Sequence, residues 1–151
     1  MKKEDIKRLS DQYPHLWSYS LLTLPEGWTA AAEQLLADLH AVNPPAEGYY
    51  GHTIPLHILH DRGFAMAFAS VSDMGPGTPE QAHAVMTAVG RFRKACCNAC
   101  EVCGQRSVSL YKEYTGGNQQ MLCQAHIDER LWKSNVDIRA DLIWQKGDDH
   151  D

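Results

Sequence analysis

Hydrophobic positions recur at steps of three and four residues in several segments of the chain, which is the spacing of an amphipathic helix. The strongest such segment runs from Thr29 to Asn43, directly before a pair of prolines that ends it. A weaker pattern from Lys2 to Tyr13 predicts a short surface helix, and the aromatic, turn-rich stretch from there to Trp28 predicts irregular packing over the core. The apolar positions of the strongest segment are Trp28, Ala32, Leu35, Leu36, Leu39 and Val42.

A third helix is predicted to begin at Thr78. This hydroxyl cap is followed by Pro79 at the first helical position and by Gln81 three residues after the cap. The apolar side of the helix leads toward a cysteine-rich segment. Its members are Ala82, Val85, Met86, Val89, Phe92 and Cys96.

Between these helices the hydrophobic period changes to two, which is the period of a strand. Apolar and β-branched residues from Thr53 to Val71 lie on both sides of Asp61-Arg62-Gly63, a turn signal, and predict an antiparallel hairpin. Pro55 fits only the start or the edge of its first strand. Residues 72–77 are expected to be a connection.

Four potential metal ligands lie in the last third of the chain: Cys100, Cys103, Cys123 and His126. They form a C-x2-C pair, a nineteen-residue interval and a C-x2-H pair, and this spacing fits one tetrahedral zinc ion. Because protein would fill all four positions, we expect a structural Zn²⁺ with no open position to activate water.

The segments around the ligands predict a treble-clef arrangement of knuckle, hairpin and helix. Gly104 permits the tight turn after the first cysteine pair. Residues 107–114 and 119–122 flank Thr115-Gly116-Gly117-Asn118 and predict a second hairpin. A helix is predicted from Cys123 to Lys133, which places His126 one turn in, on the same face as Cys123.

The sequence therefore predicts an α+β fold, with helices packed on a small antiparallel sheet and a C-terminal treble-clef zinc-finger module. Residues 1–96 would form the α+β core, 97–133 the zinc module and 134–151 a C-terminal extension, together one compact unit. A length of 151 residues and a hydrophobic fraction of 44% suit a single domain with a real core.

Charge and cysteine usage narrow the setting. A net charge of −5 argues against a dedicated nucleic-acid coat protein. The five cysteines crowd into positions 96 to 123, which is typical of metal binding in a reducing compartment rather than of a disulfide framework. No apolar leader segment and no run of about 18 apolar residues appears, so we expect a cytoplasmic protein.

An alternative ligand pair remains open, because Cys97 and Cys100 also read C-x2-C. This pair lacks the following glycine, and Cys96 and Cys97 end the preceding helix. We expect both to be small buried residues at the junction between the helix and the knuckle. The alternative is that Cys97 competes as a ligand or is a reactive thiol.

The string CEVCG at 100–104, followed by a Gly-Gly turn and LC-x2-H, resembles a group of small, largely uncharacterised bacterial and phage-associated proteins with a C-terminal treble-clef zinc knuckle. The order of elements upstream is similar, so the resemblance covers about residues 13–127. The chain departs from the pattern at Gln105-Arg106-Ser107, where Ala-Pro-Gly is expected, and it lacks a tryptophan after the glycine pair. The resemblance implies a structural zinc ion and a phage-encoded or immunity role, without a settled activity.

We do not expect an enzyme. Treble-clef nucleases need a histidine on the hairpin as general base, and none lies between Gly104 and Leu122. A cluster of His52, His57, His60 and Asp61 is the enzymatic alternative, but residues three apart on a strand point to opposite faces. The interpretation that we favour for these histidines is solvation or hydrogen bonding.

The predicted function is a small protein-binding module, an adaptor or inhibitor, whose zinc-stabilised scaffold displays a contact surface. Trp132 and Trp144 are candidate anchors if exposed, although packing in the C-terminal segment is the favoured interpretation. The alternative is a nucleic-acid-associated zinc-finger protein. Its binding patch, which is also the candidate patch for a partner protein, would comprise Arg91, Arg93, Lys94, Arg106, Lys112 and Tyr111, with Tyr114 beside it.

Overall fold

The computed structural model describes residues 1–71, 77–113 and 118–145, with side chains described as far as residue 134. It consists of helices and two separate two-stranded antiparallel sheets, which confirms the α+β prediction. The helices are α1 (Lys3–Gln12), α2 (Thr29–Val42), α3 (Pro79–Cys97) and α4 (Gln124–Gln145), and the strands are β1 (Leu56–Asp61), β2 (Phe64–Ala69), β3 (Val108–Lys112) and β4 (Gln119–Cys123).

The predicted start of α3 is confirmed. The Thr78 hydroxyl accepts a hydrogen bond from the Gln81 backbone N–H at 3.2 Å, and the Gln81 side chain accepts one from the Thr78 N–H at 3.0 Å. This reciprocal capping box satisfies two N–H groups that would otherwise lack partners.

The apolar side of α3 is narrower than predicted. Val85, Ala88, Phe92 and Cys96 are buried, whereas Ala82 and Met86 are exposed. The prediction was wrong for Met86 because one residue step along a helix turns the side chain by about 100°. That turn carries Met86 away from the surface that packs against α2 and β2.

The core lies where α2 and α3 pack together and against the N-terminal segment. Trp28 and the predicted alanine and leucines of α2 are buried, and Val42 is half-buried. The stretch before α2 forms three short 3-10 turns, Pro14–Leu16, Tyr19–Thr23 and Glu26–Trp28, which contribute buried side chains without a longer element.

The hairpin of β1 and β2 has the predicted turn. Arg62 and Gly63 adopt φ angles of 49° and 83°, which two-residue hairpin turns require. Leu56 and Ile58 point into the core, as the period of two predicts. The opposite side, called the outer face below, is exposed and carries Leu59, Phe64, Met66 and Phe68.

The segment before α2 supports the cysteine-rich turn after α3. The Gly27 N–H donates to the Glu101 carbonyl at 2.8 Å, and the Trp28 indole N–H donates to the Ala99 carbonyl at 3.2 Å. A Cβ atom on Gly27 would overlap the carbonyl oxygen of Cys100. Only glycine therefore allows this close approach.

We predict that Gly27→Ala lowers the free energy of unfolding by about 1–3 kcal/mol, because the backbone of the cysteine-rich turn must move to admit the methyl group. Urea unfolding measures the change. The matched control is Gly90→Ala, in the middle of α3, where an added Cβ meets nothing within 4 Å. That substitution should stabilise the protein by about 0.5–1 kcal/mol, and equal effects of the two variants would contradict the close contact.

Two histidines share a buried hydrogen bond beside α2. His15 is 7% exposed, and its Nε2 lies 2.9 Å from Nδ1 of His40. Burial, and then the neighbouring His40, lower the pKa of His15. One ring must donate and the other accept, so the pair is compatible with a neutral His15.

We predict that His15 makes the protein less stable in acid. Its pKa is depressed in the folded state, so the unfolded chain takes up the proton first as the pH falls below about 6.5. The free energy of unfolding should then decrease by at most about 1.4 kcal/mol per pH unit on this account. In His15→Gln the slope between pH 6.5 and 5 should be smaller, whereas in the control His83→Gln, at an exposed position, it should be unchanged. An unaltered slope in His15→Gln would refute the assignment.

Candidate metal centre

The four predicted ligands come together at the junction of three elements. The ligand atoms of Cys100, Cys103, Cys123 and His126 all lie within 4.8 Å of one another. Sγ of Cys103 is 3.8 Å from Sγ of Cys123, and Nδ1 of His126 is 3.5 Å from Sγ of Cys100 and 3.1 Å from Sγ of Cys123. The group can hold a metal ion.

Two of these three separations match a tetrahedral site, whereas the distance from Cys123 to His126 is shorter. Two sulfurs bonded to one zinc ion at about 2.3 Å lie about 3.8 Å apart at the tetrahedral angle, and a sulfur and an imidazole nitrogen about 3.5 Å apart. The Cys103–Cys123 and Cys100–His126 distances agree with these values. The arrangement therefore needs little adjustment to receive an ion.

A tight turn and a strand-to-helix junction position the ligands. The Gly104 N–H donates to the Cys100 carbonyl at 2.8 Å, and the Cys100 N–H donates to the Gln105 carbonyl at 2.9 Å. Gly104 has a φ of 75°, in the left-handed region that favours glycine. Cys123 is the last residue of β4, and His126 lies in the first turn of α4.

The surroundings favour thiolate at Cys100. Burial alone would raise the pKa of this thiol, but backbone N–H groups of Cys123, Cys103 and Val102 directed at the sulfur outweigh it and lower the pKa to about 7. At Cys103 the Gln105 N–H lowers the pKa of the thiol, but burial and the neighbouring thiols of Cys100 and Cys123 outweigh it, so the pKa is raised. Three sulfurs in contact repel one another's charge, and a cation removes that repulsion.

A buried carboxyl group supports the turn from inside. Glu101 is 2% exposed and accepts a hydrogen bond from the Met121 N–H at 2.8 Å, while Nε2 of His60 lies 3.2 Å from its other oxygen. The Glu101 N–H donates to the Met121 carbonyl at 2.8 Å. Sequence reasoning missed Glu101, although a charged residue between two ligand cysteines was the available signal.

Apolar side chains surround the ligands. Leu122 is fully buried with Cys100 and Cys123, and Val108, Tyr111 and Ile127 pack against them. Tyr111 was predicted as part of a binding patch. The structure places it half-buried against this cluster, so at least part of its ring serves the metal centre.

The two remaining cysteines lie outside the ligand group. Cys96 is fully buried in the main core, and burial raises the pKa of its thiol, which makes it unreactive. Cys97 is half-buried and, together with Arg93, lines a groove that contains none of the four ligands. None of the five cysteines forms a disulfide.

The histidines of the first hairpin do not form a second centre. His57 is exposed on the outer face, whereas His60 lies on the other side of the hairpin and contacts Glu101. Within the side chains described, up to residue 134 and without 72–76 and 114–117, the ligand group above is the only set of three or more candidate ligands.

The predicted basic patch divides between two grooves. Arg91, Lys94 and Arg106 line one groove of about 520 Å³. Arg93, on the same helix, lines another, and Lys112 is exposed on β3.

The structure also corrects predictions for the C-terminal part. Trp132 is 69% exposed, so the favoured interpretation of packing was wrong for this residue. Helix α4 continues from Gln124 to Gln145, beyond the predicted end at Lys133. Predictions for residues 72–76, for the turn at 115–117 with Tyr114, for the Trp144 side chain and for residues 146–151 of the C-terminal extension lie outside the described residues.

Comparison with protein-family models, with curated proteins and with solved structures found no match. The family resemblance of the cysteine motif therefore stays a prediction. No helix in the described ranges has both the length and the apolar character that crossing a bilayer requires.

We predict that Cys123→Ser abolishes metal binding, because it removes a buried sulfur from the ligand group. Elemental analysis of protein purified without chelator should give about one metal ion per chain for the unmodified protein and far less for the variant. The variant should also lose at least about 3 kcal/mol of stability, since the binding free energy of a structural ion is folding free energy.

The matched control is Cys97→Ser, which removes a neighbouring sulfur outside the group. It should keep its metal and unfold within about 1 kcal/mol of the unmodified protein. Metal loss in Cys97→Ser with retention in Cys123→Ser would show that the ligands are misassigned.

Proposed function

We propose that Cys100, Cys103, Cys123 and His126 hold one structural zinc ion in a treble-clef module. Support comes from the donor set, since three thiolates and an imidazole in tetrahedral disposition suit zinc better than calcium or magnesium, which prefer oxygen. The order of tight turn, hairpin and helix around the ligands has the treble-clef sequence of elements. Elemental analysis identifying a metal other than zinc would contradict this proposal.

The zinc ion has no catalytic part in this proposal. Four protein ligands complete the tetrahedron, which leaves no position from which the ion can activate a water molecule or polarise a substrate. We accordingly propose that the protein is not an enzyme. The ion instead fixes the turn that the segment before α2 contacts.

We further propose that the protein is a small cytoplasmic adaptor or inhibitor that binds another protein. The outer face of the first hairpin is the observation that supports this function. Leu59, Phe64, Met66 and Phe68 are each between 42% and 56% exposed on that face. Strands usually place polar residues on a solvent-facing side, and contiguous exposed apolar side chains mark contact sites.

The outer face continues into a groove beside α3. This groove has a volume of about 490 Å³ and is lined by Phe68 and His57 of the hairpin and by Met86 and Val89 of the helix. Met86 is 74% exposed there. A flexible thioether next to aromatic and aliphatic side chains suits a surface that adapts to a partner protein.

The resemblance of the cysteine motif adds a setting to this proposal: a phage-encoded or immunity protein that binds and blocks a cellular target. A nucleic-acid-associated role is the second candidate, favoured by the groove of Arg91, Lys94 and Arg106. The net charge of −5 weighs against an extended nucleic-acid surface.

We predict that Phe68→Ser combined with Met66→Ser removes the partner protein from nuclease-treated pull-downs, since both side chains belong to the outer face. Quantitative mass spectrometry of the bound fraction measures the loss, expected to exceed tenfold. Metal content and thermal unfolding should stay close to those of the unmodified protein, because exposed side chains contribute little to the core.

The control is Tyr50→Ser, which removes an aromatic ring that is 98% exposed elsewhere on the surface. It should leave the bound fraction unchanged. A bound fraction that consists of nucleic-acid-dependent proteins, lost on nuclease treatment in all variants alike, would favour the second candidate instead.

A further inference from the structure

A groove with basic walls lies between α2, α3 and the loop after the metal knuckle. It has a volume of about 520 Å³, and the described residues that line it include Arg91, Lys94 and Arg106 but no acidic residue. We propose that this groove is a binding site for the phosphate or diphosphate group of a small molecule. Among the described residues, none lines both this groove and the groove beside the outer face, so we treat it as separate from the proposed protein-binding surface.

The positive charge in the groove is largely uncompensated. Arg91 donates through Nη1 to Asp38 at 2.8 Å, which leaves other N–H groups of its guanidinium free to donate. Lys94 and Arg106 form no ion pair within the described part of the chain. The chain as a whole has a net charge of −5, so this local excess of cations differs from the overall charge and indicates an anion-binding surface.

Small residues keep the groove open. Four alanines and the two glycines Gly27 and Gly104 line it, so no bulky side chain occupies the space between the cations. Asn98 and Ser107 add polar groups to the lining. The first turn of α2 also borders the groove through Ala30 and Ala31, and that turn has no side-chain cap and no acidic residue.

The chemistry of the lining favours phosphate over other anions. Two guanidinium groups offer paired donors that match the oxygens of a phosphate, and Lys94 adds a compact point charge. None of the described residues that line the groove is aromatic, so these residues offer no platform on which a nucleobase can stack. The charged group, rather than an attached base, is therefore what the groove recognises.

The metal knuckle holds one wall of this site. Arg106 follows Gln105, whose carbonyl accepts the Cys100 N–H, and Gly104 lies in the lining itself. Ser107 adopts a φ of 66°, which fixes the path of the loop at the groove. Removal of the metal should therefore weaken anion binding, because Cys103 would no longer be held to the other ligands and the loop that carries Arg106 would be less fixed.

The test is a titration of the metal-loaded full chain with inorganic pyrophosphate, followed by calorimetry and by amide chemical shifts. We expect saturable binding of one pyrophosphate per chain, with the largest shifts in residues that line the groove. Lys94→Glu and Arg106→Glu should each weaken binding at least tenfold, because each replaces an attractive charge by a repulsive one.

Two matched controls carry the same change of charge outside the groove. Arg93→Glu lies on α3 but lines the groove that contains Cys97, and Lys112→Glu lies on β3. Both should bind pyrophosphate within twofold of the unmodified protein. Thermal unfolding and metal content verify that all four variants are folded. If Lys94→Glu or Arg106→Glu is not folded, Lys94→Gln or Arg106→Gln takes its place.

Three outcomes would overturn the proposal. One is the absence of saturation at millimolar pyrophosphate. Another is an equal loss of affinity in all four variants, which would show diffuse attraction to a basic surface. The third is an oligonucleotide that binds more tightly than pyrophosphate and depends on Arg93 and Lys112 as well, which would assign the basic residues to a nucleic acid.

Discussion

The buried carboxyl group of Glu101 is the constraint on which the arrangement of the molecule depends. A carboxyl group removed from water is tolerated only when its oxygens are paired, and here the partners come from separate elements. Met121 of β4 donates its backbone N–H to the carboxyl group, and the imidazole of His60 of β1 lies beside the other oxygen. The Gly27 N–H donates to the main-chain carbonyl of Glu101. Both hairpins and the segment before α2 therefore meet at one position between two ligand cysteines.

Local features of the fold were predictable because their signals lie within a few residues. The capping box at Thr78 and Gln81, the turn at Arg62 and Gly63 and the spacing of the ligands are of this kind. The partners of Glu101 and Gly27 were not predictable, since each residue makes its contact with a distant part of the chain. Periodicity indicates that a residue faces inward, but not which element it meets there.

The surface residues show the same limit. Arg91, Arg93 and Lys94 are neighbours in sequence, and a linear inspection joins them into one patch. The rotation of successive residues along α3 places Arg93 in a different groove from Arg91 and Lys94. Arg106 joins the groove of Arg91 and Lys94 only when the chain is folded. In the first hairpin the period of two predicted two alternating sides, whereas the exposure of four large apolar side chains on the outer face follows only from the folded structure.

The hydrogen bond from the Trp28 indole to the Ala99 carbonyl joins residues 71 positions apart, and this separation bears on biosynthesis. As the chain leaves the ribosome, the tryptophan emerges long before its acceptor, and the acceptor precedes the last metal ligand. The N-terminal half can therefore complete this contact only after the cysteine-rich turn has been synthesised. Packing of the N-terminal half against that turn is thus a late step in the maturation of the chain, even though this half contributes none of the four candidate ligands.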